Sequence, residues 1–231
     1  MPLKPTGSQA PRPRRRLSPG EREKEIVTGA IAFFAEHGFD GSTRELADRL
    51  GITQPLLYRY FPTKEALLDR VYDEVYLSRW NPDWEALVCD RSRPLAQRLS
   101  HFYRAYAALI LSYEWIRLFM FAGLKGLDFN SRYLAFLRAR IFDRIAVEIR
   151  VAHGLDEAAP VTPEEVELIW SLHAAIFYIG VRKFIYGMPI PEDIEGDIDL
   201  KVFAFLNGAP ATFATVLPAG GHPRARLSRH K

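Results

Sequence analysis

The chain has 231 residues, of which 26% are charged and 48% hydrophobic, as in soluble globular proteins that bury a sizeable core. Cys89 is the only cysteine, which excludes an intrachain disulfide framework and favours a reduced, cytoplasmic location. No apolar signal segment opens the chain, and the apolar run at residues 168–181 is shorter than the ~18 residues of a membrane span. We therefore expect no membrane segment.

The net charge of +3 is distributed unevenly along the chain. Residues 1–20 contain five basic residues and no acidic one, and residues 218–231 contain four basic residues and no acidic one. The residues between them hold 22 basic and 28 acidic residues, a net charge of −6. Two basic tails on an acidic body suggest an anionic polymer as partner, with improved solubility as the alternative.

The first ordered element is predicted to begin at Ser18. Residues 1–17 are rich in proline and arginine, which predicts a disordered arm. Ser18 and Glu21 form a capping-box pattern with Pro19 at the first helical position, and Gly38 is typical of a helix C-terminus. A first helix is therefore expected between Ser18 and Gly38.

Two short helices are predicted next, joined by a tight turn. Ser42 or Thr43 caps a helix that ends at Gly51, and Thr53 caps a second one that ends at Tyr60. A further helix begins at Thr63, with apolar residues at helical spacing as far as residue 75. A helix, a three-residue turn opened by glycine and a second helix make a helix-turn-helix.

The rest of the chain also reads as helical. Residues 82–94 are a connection with room for one short helix. Longer helices are predicted at residues 95–112, 114–125, 131–152, 162–187 and 192–217, the last disturbed at residues 207–210. No stretch alternates like a strand, so we predict an all-α fold. Its parts are a disordered basic arm (1–17), a three-helix helix-turn-helix domain (18–79), a larger helical domain (80–217) and a basic tail (218–231).

Two stretches in the N-terminal part carry a family resemblance. Residues 38–47, GFDGSTRELA, and residues 50–68, LGITQPLLYRYFPTKEALL, resemble the TetR (tetracycline-repressor-type) family of bacterial transcriptional regulators. The most specific pieces are LYRYF and the KE-x-LL that follows it, and the resemblance covers about residues 22–75. It implies a homodimer on a palindromic DNA operator, more often as a repressor, with an effector-binding and dimerisation domain after about residue 80.

The residues around the second short helix have side chains suited to DNA. The Gln54 amide can bridge N6 and N7 of adenine, and Arg44 can pair with O6 and N7 of guanine. Pro55 and Leu56 offer apolar surface to a thymine methyl group, and Arg59 either reaches phosphate or stays solvated. The resemblance implies DNA contacts for six of the predicted residues: Thr43, Arg44, Gln54, Pro55, Tyr58 and Lys64. The full predicted set is Thr43, Arg44, Thr53, Gln54, Pro55, Leu56, Tyr58, Arg59 and Lys64.

Three of these residues are predicted to hold phosphate oxygens. Thr43, Tyr58 and Lys64 are donors, and Lys64 lies at a helix N-terminus, where the dipole favours anions. Thr43 could instead serve only as a cap, and Tyr58 could pack at the edge of the core. Residues 21–70 hold 7 basic and 9 acidic residues, so this unit is not cationic as a whole. We therefore expect the arm to add phosphate or minor-groove affinity through Arg12, Arg14, Arg15 and Arg16.

The larger domain is predicted to dimerise and to bind a small-molecule effector. Its last two helices carry apolar stripes that fit either a four-helix dimer interface or the core of one protomer: Val166, Ile169, Trp170, His173, Phe177, Gly180 and Phe184, then Ile194, Ile198, Val202, Phe205 and Phe213. Aromatic density suggests a pocket for an apolar or aromatic effector, although ordinary core packing is the stronger explanation for most of these rings. The candidate pocket residues are Phe102, Tyr106, Tyr113, Trp115, Phe119, Trp170, His173 and Phe177. Glu114 and Arg117, set among apolar residues, are candidate effector partners or, equally, surface charges.

No motif indicates an enzyme. The chain has no glycine-rich phosphate loop, zinc-protease histidine pair or nucleophile elbow, and its six histidines lack metal-ligand spacing. We therefore expect no catalytic residues, no metal and no cofactor. The main alternative to an effector-controlled regulator is a helix-turn-helix protein that organises DNA or docks a protein without small-molecule control.

Overall fold

The computed structural model describes residues 17–216, with side chains as far as Gly208. The described elements are all helices, which confirms the all-α prediction. Four arginines predicted to contact DNA, Arg12, Arg14, Arg15 and Arg16, lie outside the described residues, as does the basic tail. Among the described helices, none is by itself long and apolar enough to cross a membrane. The consecutive helices Leu95–Ile110 and Tyr113–Leu124 reach that length and composition only as a pair, and the pair is bent by 79° at its junction.

The N-terminal head contains α1 (Pro19–His37), α2 (Thr43–Leu50) and α3 (Gln54–Tyr60). The α1 capping box forms as predicted between Ser18 and Glu21. Ser42, not Thr43, caps α2, again through a capping box. Gly51 ends α2 in the left-handed region at φ 64°, a conformation that glycine adopts without strain, and so turns the chain tightly into α3. The helix-turn-helix is thus built by local capping chemistry.

The fourth helix leads from the head into the C-terminal part. α4 (Lys64–Tyr72) continues as a π-helical turn, Asp73–Leu77, and the predicted short helix follows as α5 (Asp83–Cys89). The buried rings of Tyr72 and Tyr76 lie 5.0 and 6.4 Å from the ring of Phe129 in the C-terminal part. Through these rings α4 and its π turn pack against the larger domain.

Six helices form the C-terminal bundle: α6 (Leu95–Ile110), α7 (Tyr113–Leu124), α8 (Phe129–Leu137), α9 (Asp143–Ala152), α10 (Pro163–Phe184) and α11 (Ile194–Val216). The helix predicted at 131–152 instead begins at Phe129 and is interrupted by a π turn, Arg138–Phe142. The disturbance predicted at residues 207–210 was wrong, because α11 continues through them. A proline inside a helix removes one backbone donor and crowds the preceding turn, which can kink a helix without ending it, and α11 continues past Pro210.

The apolar stripes predicted on α10 and α11 face the protomer's own core. Six of their residues are buried within the protomer: Val166, Ile169, His173, Gly180, Ile198 and Val202. Trp170, Phe177, Phe184, Ile194 and Phe205 pack half-buried against the same core, and the side chain of Phe213 lies beyond the described ones. Among the side chains described on these two helices, the large apolar ones that stay exposed are Tyr178, Leu200 and Phe203.

Candidate nucleic-acid interface

The short helix α3 has one buried face and one exposed face. Thr53 caps the helix by accepting a hydrogen bond from the Leu56 amide, and Leu57 is its fully buried anchor. Pro55, Tyr58 and Arg59 are exposed on the other side. A helix anchored by one face and open on the other can enter a major groove.

Three predicted DNA-contacting residues form one hydrogen-bonded cluster. Gln54 Nε2 donates to Thr43 Oγ1 at 3.0 Å, and Thr43 Oγ1 lies 2.9 Å from the hydroxyl oxygen of Tyr58. Thr43 is only 8% exposed. Its side chain therefore joins the start of α2 to α3 instead of capping a helix.

The cluster leaves the groups that DNA recognition needs unused. Gln54 keeps one amide hydrogen and its carbonyl oxygen, which match N7 and the N6 amino group of adenine. When Thr43 donates its hydrogen to Tyr58, the Tyr58 hydroxyl keeps its own hydrogen for a phosphate oxygen. Because both side chains are already oriented, little further ordering is needed on binding.

Lys64 has a structural role that the sequence did not reveal. Its Nζ donates to the carbonyl oxygens of Phe39 at 2.6 Å and Gly41 at 2.8 Å, and lies 5.8 Å from the centre of the Phe34 ring. An ammonium has three hydrogens, so one remains for phosphate. Lys64 therefore fixes the loop before α2 while staying available as a phosphate anchor.

Arginines in the head fall into two groups. Arg49 forms two hydrogen bonds with Glu36, at 2.5 and 2.8 Å, and Arg70 pairs with Glu74 at 2.9 Å. Arg44 and Arg59 are exposed and form no ion pair within residues 17–216. Some acidic residues of the head are thus neutralised by arginines away from α3, whereas the unpaired Arg44 and Arg59 lie beside and on α3.

The head is fastened to the larger domain through α7. Arg117 Nε donates to the carbonyl of Ala35 at 2.5 Å, and its Nη2 donates to the carbonyl of Glu36 at 3.3 Å. A cation suits these last carbonyls of α1, where the helix dipole is negative. The ammonium of Lys125, just after α7, lies 2.5 Å from a carboxylate oxygen of Asp40. Arg117 is therefore an interdomain contact.

The predicted pocket residues form a packed aromatic cluster in the core. Trp115 stacks on Phe119 at 4.9 Å, Phe102 on Tyr106 at 5.5 Å, and His173 lies 5.7 Å from Tyr106. Trp170 and Phe177 join it through contacts with His173. Tyr113 does not belong to it, since it is 38% exposed and packs on Phe184. The cavities described at the surface are lined by other residues, between α6, α10 and α11 and beside α5.

His173 predicts a pH-dependent stability. Burial among aromatic rings lowers the pKa of His173 to about 4, against about 6.5 in an unfolded chain. Between these pH values the unfolded chain binds the extra proton, so stability is intact above pH 6.5 and falls as the pH drops towards 4. We expect a loss of up to about 3 kcal/mol.

Urea denaturation at pH 7 and pH 4.5 measures this loss. His173→Phe should reduce the difference in free energy of unfolding between pH 7 and pH 4.5. His101→Phe, a change at an exposed histidine, should leave that difference unchanged. Equal pH dependence in both variants would contradict the assignment.

Comparison with known proteins supports the N-terminal geometry. Residues 26–71 match the family model described as bacterial regulatory proteins, tetR family. The chain is 34% identical over 82 residues to the class A tetracycline repressor from transposon 1721 of Escherichia coli. The matched segment covers 32% of this chain and 38% of the repressor. It is 36% identical over 69 residues to the HTH-type transcriptional regulator LuxR of Vibrio harveyi, covering 29% and 34%. The chain thus spans about a third of the length of these relatives.

The fold is shared over a much larger part of the chain. A TetR-like transcriptional regulator from Rhodococcus sp. RHA1 aligns with a TM-score of 0.62, covering 84% of this chain and 100% of its own, at 17% identity. At that identity the likeness concerns the fold alone. The head is thus similar in sequence to the tetR family of bacterial regulatory proteins, and the chain shares the all-helical fold of a TetR-like regulator.

Proposed function

We propose that the chain is a sequence-specific DNA-binding transcriptional regulator, acting in the cytoplasm as a repressor. The observation that carries this proposal is the cluster of Thr43, Gln54 and Tyr58 at the exposed start of α3. It supplies a base-reading amide and a phosphate-donating hydroxyl side by side, each with a free hydrogen-bonding group. Arg44, Pro55, Leu56 and Arg59 surround it as further contacts, with Lys64 as a phosphate anchor.

A homodimer on a palindromic operator completes the proposal. Two-fold symmetry of a protein dimer requires two related half-sites, about one helical turn apart or somewhat more. Leu200 and Phe203 are 70% and 66% exposed on α11, beside the exposed Ala204, and Tyr178 is exposed on α10. Large apolar side chains in such a row favour a protein interface, and a second copy is the partner that the operator symmetry requires.

Effector control is the third part of the proposal. The aromatic cluster of the larger domain and the head are connected by α7, which carries Trp115 in the cluster and Arg117 on the last carbonyls of α1. An effector that binds the two arrangements of this link with different affinities would change DNA binding. The alternative, a DNA-organising or protein-docking factor, would show no such ligand dependence.

The experiment that tests this function is selection of binding sites from a random duplex library at two salt concentrations. An enriched inverted repeat that persists at the higher salt is the expected result. Salt-sensitive binding without an enriched site would instead favour the DNA-organising alternative, with the arm arginines supplying affinity. No binding at either salt concentration would contradict the proposal.

Gln54→Ala tests the base-reading assignment. We expect it to cost ~1–3 kcal/mol of operator binding and to relax the preference at one base per half-site, because the bidentate amide is lost. The measurement is fluorescence anisotropy on the selected site and on single-base variants of it. Gln97→Ala, the same change on the exposed surface of α6, is the control and should leave binding unchanged. An unaltered base preference in Gln54→Ala would show that another side chain reads the site.

A further inference from the structure

Eight buried side-chain polar atoms lack a hydrogen-bond partner among the described residues, and four of them belong to aromatic side chains where α4 and its π turn meet the larger domain. These four are the hydroxyls of Tyr76 and Tyr103, Nε1 of Trp115 and Nδ1 of His173. None of these side chains is more than 6% exposed. Native proteins pair most buried polar atoms because an unpaired one is costly, so four in one region require an explanation.

The four atoms come from four helical segments, and their rings belong to one aromatic cluster. The rings of Tyr76 and Trp115 lie 5.1 Å apart, and both lie 5.5 Å from Tyr133. Tyr133 donates to the Tyr106 hydroxyl at 3.0 Å, and Tyr106 is 5.7 Å from His173. Tyr103 joins through Phe102, at 4.9 Å, which stacks on Tyr106. The rings that carry the unpaired atoms are therefore linked to one another through the hydrogen-bonded Tyr106 and Tyr133.

The helices that carry the cluster depart from regular geometry at the cluster itself. Tyr76 lies within the π-helical turn Asp73–Leu77. Phe142, 5.4 Å from His173, lies within the second π turn, Arg138–Phe142. π turns occur frequently at functional sites, and here both border the same group of rings.

We propose that this cluster opens to bind the effector, a flat, neutral molecule whose hydrogen-bond acceptors pair with Tyr76, Tyr103 and Trp115. The inference rests on the proposed regulatory function and specifies its ligand class. Two phenols and an indole offer donors, so the ligand must supply acceptors such as a ketone or ring ether oxygen. A charged ligand is disfavoured, because the four residues with unpaired atoms offer it no opposite charge in a buried setting.

The position of the cluster also explains how ligand binding would affect the DNA-binding head. Tyr76 continues α4, and Trp115 precedes Arg117 on α7 by two residues. Both α4 and α7 pack against α1. A ligand inserted between Tyr76 and Trp115 would therefore displace both connections to the DNA-binding head.

Titration of the purified full chain with xanthone tests the ligand class. Xanthene, which lacks the carbonyl, is the matched apolar probe, and xanthene-9-carboxylate is the charged one. We expect xanthone to quench tryptophan fluorescence and to bind at least ten times more tightly than either analogue. Equal affinity for xanthone and xanthene, or no binding of xanthone and of a second flat ketone, flavone, would overturn the proposal.

Tyr-to-Phe variants test the unpaired hydroxyls without changing ring shape. We expect Tyr76→Phe to raise the Tm of the free protein and to weaken xanthone binding at least fivefold. Tyr133→Phe, which removes a paired hydroxyl, should lower the Tm and serves as the control. A lowered Tm in Tyr76→Phe would mean that its hydroxyl is already satisfied, for instance by a buried water, and would overturn the proposal.

Operator binding measured on the same samples separates this inference from the function on which it rests. Retained sequence-specific DNA binding with no response to either ketone overturns the ligand proposal alone. Absence of DNA binding under all conditions contradicts the regulator itself, whatever the ketones do. Xanthone binding that shifts operator affinity at least fivefold supports both.

Discussion

Glu165→Ala should lower the free energy of unfolding by about 3–5 kcal/mol, because it leaves a buried guanidinium without its counter-charge. Arg150 and Glu165 are both fully buried, and Arg150 donates from Nε and Nη2 to the two carboxylate oxygens at 2.6 and 2.5 Å. Its remaining donors hold the carbonyls of Ala159 and Pro160 in the loop before α10. Glu165 also accepts from the backbone amide of Thr162 in the capping box of that helix.

Urea denaturation at pH 7 is the measurement. Glu164→Ala changes the neighbouring exposed residue in the same helical turn and should cost far less. The double variant Arg150→Met/Glu165→Leu should recover part of the loss, since it removes both charges and restores apolar packing. If the two alanine variants were equally stable, the buried pair would not have the role assigned to it.

The head could be predicted closely because local chemistry determines it. Ser18 and Glu21 cap α1 through a pattern contained within four residues, and Gly51 ends α2 where a left-handed residue is needed. Even there the pattern left Ser42 and Thr43 as equal candidates for the α2 cap. Only the packing of Thr43 against α3 decides between them, and that contact joins residues distant in the chain.

The larger domain could be predicted as helices but not as a packing arrangement. Apolar periodicity indicates that α10 and α11 are amphipathic, yet it does not say whether a stripe meets another helix of the protomer or of a second chain. A Cβ at Gly180 would clash with Ile116 and Leu111 of the same protomer, so this part of the stripe faces the protomer's own core. The π turns of the bundle likewise have no signal in the apolar pattern.

Long cationic side chains were the least predictable members of the candidate site. Lys64 reaches the carbonyls of Phe39 and Gly41, and Arg117 reaches that of Ala35, all far away in the sequence. Backbone carbonyls are present at every residue, so no residue pattern marks them as partners. A charged residue among apolar ones was the available signal, and it was ambiguous between a ligand contact and a surface charge.

The dimer proposal predicts the largest functional effect. Leu200→Glu should convert the protein to a monomer and weaken operator binding about 100-fold or more, because a dimer gains the second half-site at high effective concentration. Leu200 is 70% exposed in the protomer, so the change does not disturb the core, whereas burying its carboxylate at an apolar interface is costly. Light scattering gives the oligomeric state, and fluorescence anisotropy gives the affinity for the selected operator.

Leu124→Glu is the matched control, because Leu124 is 80% exposed at the end of α7 and lies on a different helix. It should remain dimeric and bind the operator normally. A dimeric Leu200→Glu protein would place the interface away from this face of α11. A monomeric variant that still bound the full operator as tightly as the dimer would contradict the two-headed mechanism, since one head would then supply all the affinity.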